Sequence, residues 1–201
     1  MLPVEIRETI RNLMEPSNRI LILGIGENRM GDDGFGPYVS YKLIEHFSST
    51  SFPHSVKFIN GKTNYVERKQ EVLEFSPNLL VIIDTCRPTT LIQDMPHRIL
   101  IGREDELVNW LPLSSHVLPI PVFIMDLKAS VKNLKPVLIG VIPISQEYKE
   151  EVAQYKPDRY SLDDYENNPD LPFYEFNLSP SIQKIADDLV DYLAEFFQKR
   201  F

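Results

Sequence analysis

The stretch Arg19-Ile20-Leu21-Ile22-Leu23-Gly24-Ile25-Gly26-Glu27-Asn28-Arg29-Met30-Gly31-Asp32-Asp33-Gly34-Phe35-Gly36 constrains the fold most. An apolar run of strand length, Ile20–Gly26, ends in a glycine-rich turn that carries two adjacent carboxylates, and a helical pattern begins at Pro37. A buried strand that stops at a tight loop places the loop at the carboxyl edge of a sheet, where open α/β folds build their sites. Glycine allows positive φ and close approach of a ligand or another chain segment. The carboxylates of the turn point to a cation or a proton and away from a phosphate.

The rest of the chain repeats the strand–helix alternation. Residues 4–14 read as a short amphipathic helix. Pro37–Phe47 reads as a helix with proline near its first turn, where a missing N–H costs little. Val56–Asn60 is a second strand and Glu67–Phe75 a helix. Leu79-Leu80-Val81-Ile82-Ile83 is a continuous apolar run, as expected of a strand covered on both faces, and it ends at Asp84. His97–Ile101 is a shorter edge strand and Pro136–Ile142 another buried one. Val117–Leu127 reads as a helix capped by Ser114 or Ser115, with Pro119 in its first turn. Ser179-Pro180 opens the last helix, with serine as N-cap and proline at the first helical position. Ile182, Ile185, Ala186, Leu189, Leu193, Phe196 and Phe197 then form one apolar stripe. The expected fold is α/β, a three-layer αβα sandwich around a twisted, mostly parallel five-stranded sheet. The 201 residues suffice for one such domain.

A formal net charge of −8 argues against nonspecific nucleic-acid binding. Cys86 is the single cysteine, so no intramolecular disulfide forms, in keeping with a reducing compartment. The N-terminus lacks a signal-peptide core and no apolar run reaches membrane-spanning length, so the reading is a cytoplasmic protein without membrane insertion. One segment breaks the alternation. Ser145–Asn177 shows no clear period and holds five of the nine tyrosines. Its nine acids against three bases make −6 of the total charge. It reads as an acidic, Tyr-rich insertion in a single domain spanning residues 1–201, near the rim of the cleft.

Two phosphate-binding readings fail. Gly24-x-Gly26 lacks a third glycine, since Arg29 stands there, and a pyrophosphate would face Asp32 and Asp33. Gly61-Lys62-Thr63 lacks the first glycine of a phosphate loop, the position being Val56. A carboxylate set survives. Asp33 follows the first strand and Asp84 the most apolar one, both at carboxyl ends. His116 precedes the apolar segment 117–127. Two carboxylates and an imidazole suit a borderline divalent metal with positions left open. Each also has a structural reading: Asp33 as a helix N-terminal charge, Asp84 as a turn cap, His116 as a satisfied core histidine. The Asp33 turn is expected to face solvent and to add little stability. Cys86 reads as a small buried hydrophobe, with a thiolate paired to His116 as the rival reading.

In their contexts these residues resemble the hydrogenase maturation proteases, endopeptidases that process the large subunit of nickel–iron hydrogenases. Leu23–Gly36 is similar to that family's Gly-x-Gly-Asn … Asp-Asp/Glu-Gly-x-Gly signature, and Leu80–Thr85 to its second acidic motif. Leu113–Pro119 is similar to its Ser/Thr-x-His motif. Leu138–Pro143 and Leu178–Ser181 are similar to its later strand and the start of its final helix. The wording Met30-Gly31-Asp32-Asp33-Gly34 is nearest to the type acting on the formate hydrogenlyase large subunit. The resemblance implies a twisted, mostly parallel sheet between helices and metal binding by Asp33, Asp84 and His116. It also implies a hydrogenase large-subunit precursor as partner and nickel presented by that precursor as the recognition signal. It names no group that attacks the scissile amide. Glu27 stands where the family has asparagine, and Asn60-Gly61-Lys62-Thr63 where it has Asp-Gly-Gly-Thr. Residues 1–18 and 145–177 exceed the family norm. A non-catalytic checkpoint that binds the nickel-loaded precursor is the alternative reading.

Overall fold

The computed structural model describes residues 1–48, 53–88, 97–104, 106, 110–112, 118–147, 153–155, 161–168 and 174–201. In chain order the elements are α1 (Val4–Met14), β1 (Ile20–Ile25), α2 (Phe35–Ser48), β2 (Val56–Lys62), α3 (Lys69–Phe75), β3 (Leu79–Pro88), β4 (Ile99–Arg103) and β5 (Trp110–Pro112). After these come α4 (Ile120–Ser130), β6 (Lys135–Val141), β7 (Ala153–Tyr155), α5 (Leu162–Asn167), β8 (Tyr174–Phe176) and α6 (Pro180–Arg200). Single 3₁₀ turns at Gly31–Gly34 and Tyr65–Arg68 lead into α2 and α3.

The main sheet runs β2-β1-β3-β6-β4, parallel except for β4, which lies antiparallel on β6. This is the expected five-stranded, mostly parallel sheet. Ile20 pairs with both Val56 and Leu79, and Leu79 with Lys135. Four parallel strands therefore start level and finish at one carboxyl edge. β3 runs on past that edge, and Cys86–Pro88 pairs antiparallel with β5.

Alternation along buried strands splits the core in two. Ile20, Ile22, Val81, Ile83 and Ile139 face α1, α2 and α6. Leu21, Leu23, Leu80, Ile82 and Leu138 face α3 and α4. The first turn of α2 touches the sheet backbone directly. A Cβ on Gly36 would lie 2.2 Å from the Ile83 carbonyl oxygen and 2.3 Å from that of Ile25, so only glycine fits there. This contact fixes the turn before α2 over the ends of β1 and β3.

Three expectations shift. The helix expected from Val117 begins at Ile120, with Pro119 in the N-cap position; Ser114 and Ser115 lie outside the described residues. Segment 145–177 holds regular structure of its own. β7 and β8 pair as a two-stranded sheet, and α5 opens with a capping box between Ser161 and Asp164. The proline of α2 is its third residue instead of its first, which still keeps it in the first turn. Among the described residues no helix is long and apolar enough to cross a membrane.

Candidate functional site

The turn after β1 separates the two neighbouring carboxylates. Gly26 has φ +134°, and a Cβ there would lie 2.0 Å from the Asp33 carbonyl oxygen, so the chain folds back on itself between these residues. Asp32, fully buried, points toward the later chain. Its Oδ2 accepts hydrogen bonds from the backbone N–H of Ile144 (2.7 Å) and Ser145 (2.9 Å) and from the Ser179 hydroxyl (3.0 Å). Its Oδ1 accepts from the Ser179 N–H at 2.6 Å. The Asp32 N–H in turn donates to the Ser145 carbonyl at 2.8 Å. Asp32 is thus a structural tie at the start of α6. Ser179 occupies the N-cap position as expected, but its hydroxyl serves Asp32 and makes no capping bond to its own helix.

Asp33 turns toward the sheet. Its Oδ2 accepts from the Glu27 N–H at 2.7 Å and its Oδ1 from the Thr85 hydroxyl at 2.7 Å. Only 3% of Asp33 is exposed, which corrects the expectation of a solvent-facing carboxylate: the 3₁₀ turn carries it under the loop. Asp84, fully buried at the end of the parallel part of β3, accepts from the Thr85 N–H through Oδ1 at 2.7 Å. Thr85 therefore serves both carboxylates, one through its hydroxyl and one through its amide. Replacing it with valine keeps the shape and removes the donor to Asp33. Thr85→Val is expected to cost about 1–2 kcal/mol, a fall in thermal midpoint of about 2–8 °C, and Thr85→Ser to restore most of it. Calorimetry of the two variants beside wild type checks this.

The charge of Asp84 is felt on the α3–α4 side. Burial first, then Asp84, pushes the Tyr65 phenol and the Cys86 thiol well above their ordinary values. Cys86 is buried against Gly140 and stays a neutral thiol. This favours the hydrophobe reading over a thiolate nucleophile. The Tyr65 hydroxyl donates to the Leu118 carbonyl, which ties the strand-end region to the chain just before α4. His116 lies outside the described residues. Among the described residues no group of three His, Cys, Asp or Glu side chains is gathered as a metal site. Asp33 and Asp84 are linked through Thr85, the first bonded to its hydroxyl and the second to its amide; their oxygens are the kind that hold a hard or borderline cation.

No protein-family model matches the chain. A relative from Methanocaldococcus jannaschii, named "Putative hydrogenase maturation protease", is 28% identical over 157 residues, covering 71% of this chain and 87% of its own length. Among solved structures, the [NiFe] hydrogenase maturation protease HycI from Thermococcus kodakarensis superposes with a TM-score of 0.66 at 22% identity, covering 94% of this chain and 99% of that one. The chain has the hydrogenase maturation protease fold. The maturating endopeptidase HybD from E. coli agrees, with a TM-score of 0.55 at 18% identity over 90% of this chain and 93% of its own. The endopeptidase HycI from Escherichia coli gives 0.57 at 17% identity over 86% and 87%. The motif resemblance is thus matched by overall architecture.

Asp32, Thr85 and Tyr65 escaped the reading of the sequence. Thr85 carried a faint signal, a hydroxyl beside a strand-end aspartate. Tyr65 carried none beyond its aromatic bulk, and Asp32 was read only as half of a pair.

Proposed function

We propose that this protein is an endopeptidase that removes a C-terminal peptide from a nickel–iron hydrogenase large-subunit precursor after nickel insertion. The observation that carries the reading is the joining of Asp33 and Asp84 through Thr85, at the carboxyl edge of a maturation-protease fold. The two carboxylates and His116 would offer oxygen and nitrogen to nickel that arrives in the precursor, leaving room for the ligands the precursor supplies. The nickel is part of the substrate in this reading. Held between precursor and enzyme, it would serve to template the scissile segment or polarise its carbonyl. The acidic segment 145–177 has both its feet at Asp32, next to Asp33, which favours a role in gripping the large subunit.

The test is to incubate the protein with nickel-loaded and nickel-free precursor and to read intact masses. Shortening of the loaded form alone is expected. Tight binding to the loaded form without shortening would replace the endopeptidase by a checkpoint protein; shortening of both forms would remove nickel as the signal. Cys86→Ala is expected to process the loaded precursor at the wild-type rate, since its thiol is neutral and packed against Gly140. Loss of processing in a folded Cys86→Ala variant would revive the thiol mechanism.

A further inference from the structure

Among the described residues three non-glycine residues have positive φ: Lys62 (+49°), Ser76 (+49°) and Asn133 (+63°). Two have ordinary reasons. Ser76 ends α3 as its left-handed cap, and Asn133 sits in the turn before β6, with a side chain that tolerates this conformation. Lys62 has neither. It is the last residue of β2, at the carboxyl edge, where the register with β1 slips so that Gly24 faces Asn60 and Ile25 faces Lys62. Two residues earlier, the amide nitrogen and oxygen of Asn60 are both buried without a hydrogen-bond partner among the described residues. Backbone strain and an unsatisfied amide fall within three residues. Such local costs gather where function needs the geometry.

The geometry sets Lys62 beside the carboxylate turn. The Gly26 N–H points to the Lys62 carbonyl at 3.4 Å, and Gly26 is also the residue packed on the Asp33 backbone. The exposed Lys62 ammonium stands over the Tyr41 ring, 5.8 Å from its centre, and Tyr41 meets Phe176 edge-on at 5.8 Å. Phe176 ends β8, at the return of the acidic segment. Among the described residues Lys62 has no carboxylate partner, although Asp32, Asp33, Asp84 and Glu27 crowd the same edge and the chain carries −8 overall. An exposed ammonium over a ring, with no carboxylate partner among the described residues, suits an incoming carboxylate.

We infer that Lys62 is a specificity-determining residue of the cleft, whose ammonium receives a carboxylate of the precursor's C-terminal extension. The inference rests on the endopeptidase reading above. That carboxylate is either an acidic side chain or the chain terminus, and one experiment separates them. Affinity for nickel-loaded precursor, and processing of it, are measured for wild type, Lys62→Gly and Lys62→Arg. The precursors are the natural one, one with the extension's acids changed to amides, and one lengthened beyond its natural terminus. Lys62→Gly removes the charge and relieves the positive φ, so its thermal midpoint is expected to be no lower than wild type. Its Kd and KM for the natural precursor are expected to rise about tenfold with kcat little changed, and Lys62→Arg to restore both. The tenfold difference should vanish with the amide precursor if a side chain is the ligand, or with the lengthened one if the terminus is. Equal affinity of wild type and Lys62→Gly for the natural precursor overturns the inference, as does a defect that persists unchanged with both altered precursors. A wild type that binds but does not cut refutes the endopeptidase reading alone, and Lys62 is then judged on Kd.

Discussion

Asp32→Ala is expected to lower stability by about 4 kcal/mol, a fall of about 8–16 °C in thermal midpoint for a chain of this size. The carboxylate accepts three backbone N–H bonds and one hydroxyl bond while fully buried. Alanine leaves those donors facing one another across a void with no acceptor, and a stranded buried donor costs more than a made bond contributes. The loss also removes a negative charge held at the N-cap of the 21-residue α6, where the helix dipole favours one. Asp32→Asn should be milder, because its oxygen in the Oδ2 position keeps three of the four bonds while its NH₂ faces the Ser179 N–H. Differential scanning calorimetry decides the matter. A shift below about 2 °C in both variants would mean that the tie contributes nothing to the fold.

Asp33→Asn and Asp84→Asn should behave in the opposite manner, folding well and failing in function. The asparagine oxygen at position 33 can keep the Glu27 N–H bond, and the Thr85 hydroxyl can rotate to accept from the new NH₂. At position 84 the amide oxygen can keep the Thr85 N–H bond. Each should therefore cost about 1 kcal/mol or less in stability. Processing of nickel-loaded precursor is expected to fall at least about 100-fold in each, since a neutral amide is a poor ligand where a carboxylate is needed. His116→Ala should lose processing to the same extent, through loss of the one imidazole in the set. The measurement is the rate of precursor shortening by mass spectrometry, beside a thermal melt of each variant. Wild-type rates in the asparagine variants would refute metal recognition by these residues while leaving the fold intact.

Adjacent acids with opposite fates show where sequence reasoning runs out. Ile20–Ile25 and Leu79–Ile83 were legible because a run buried on both faces admits no polar residue. Asp33 and Asp84 are legible as buried carboxylates at the carboxyl edge because each follows such a run. The role of Asp32 depends on partners 112, 113 and 147 residues away, and no local pattern encodes them. Ser179 misled in a related way: Ser-Pro is a helix-start signal whatever the hydroxyl does, and here tertiary structure takes the hydroxyl for Asp32. β3 outruns its apolar stretch because, although Thr85–Pro88 is not apolar, pairing with β6 at Thr85 and with β5 beyond it extends the strand. Segment 145–177 shows no period in sequence because its described strands are three residues long and α5 six, too short to carry one.

The Asp32 tie also bears on how such a chain diversifies. One carboxylate holds Ser145 and Ser179, so the 33 residues between them leave and return within the span of a single side chain. The free energy of closing a flexible loop on fixed ends varies only slowly with length, by about 0.6 kcal/mol for each doubling. Residues can therefore be gained, lost or rewritten between those anchors, up to Phe176, which packs in the core, while the sheet edge keeps its register. A sheet edge built this way can change the surface beside it without being rebuilt: the part of the segment between the anchors behaves as an exchangeable cassette, free in length and charge.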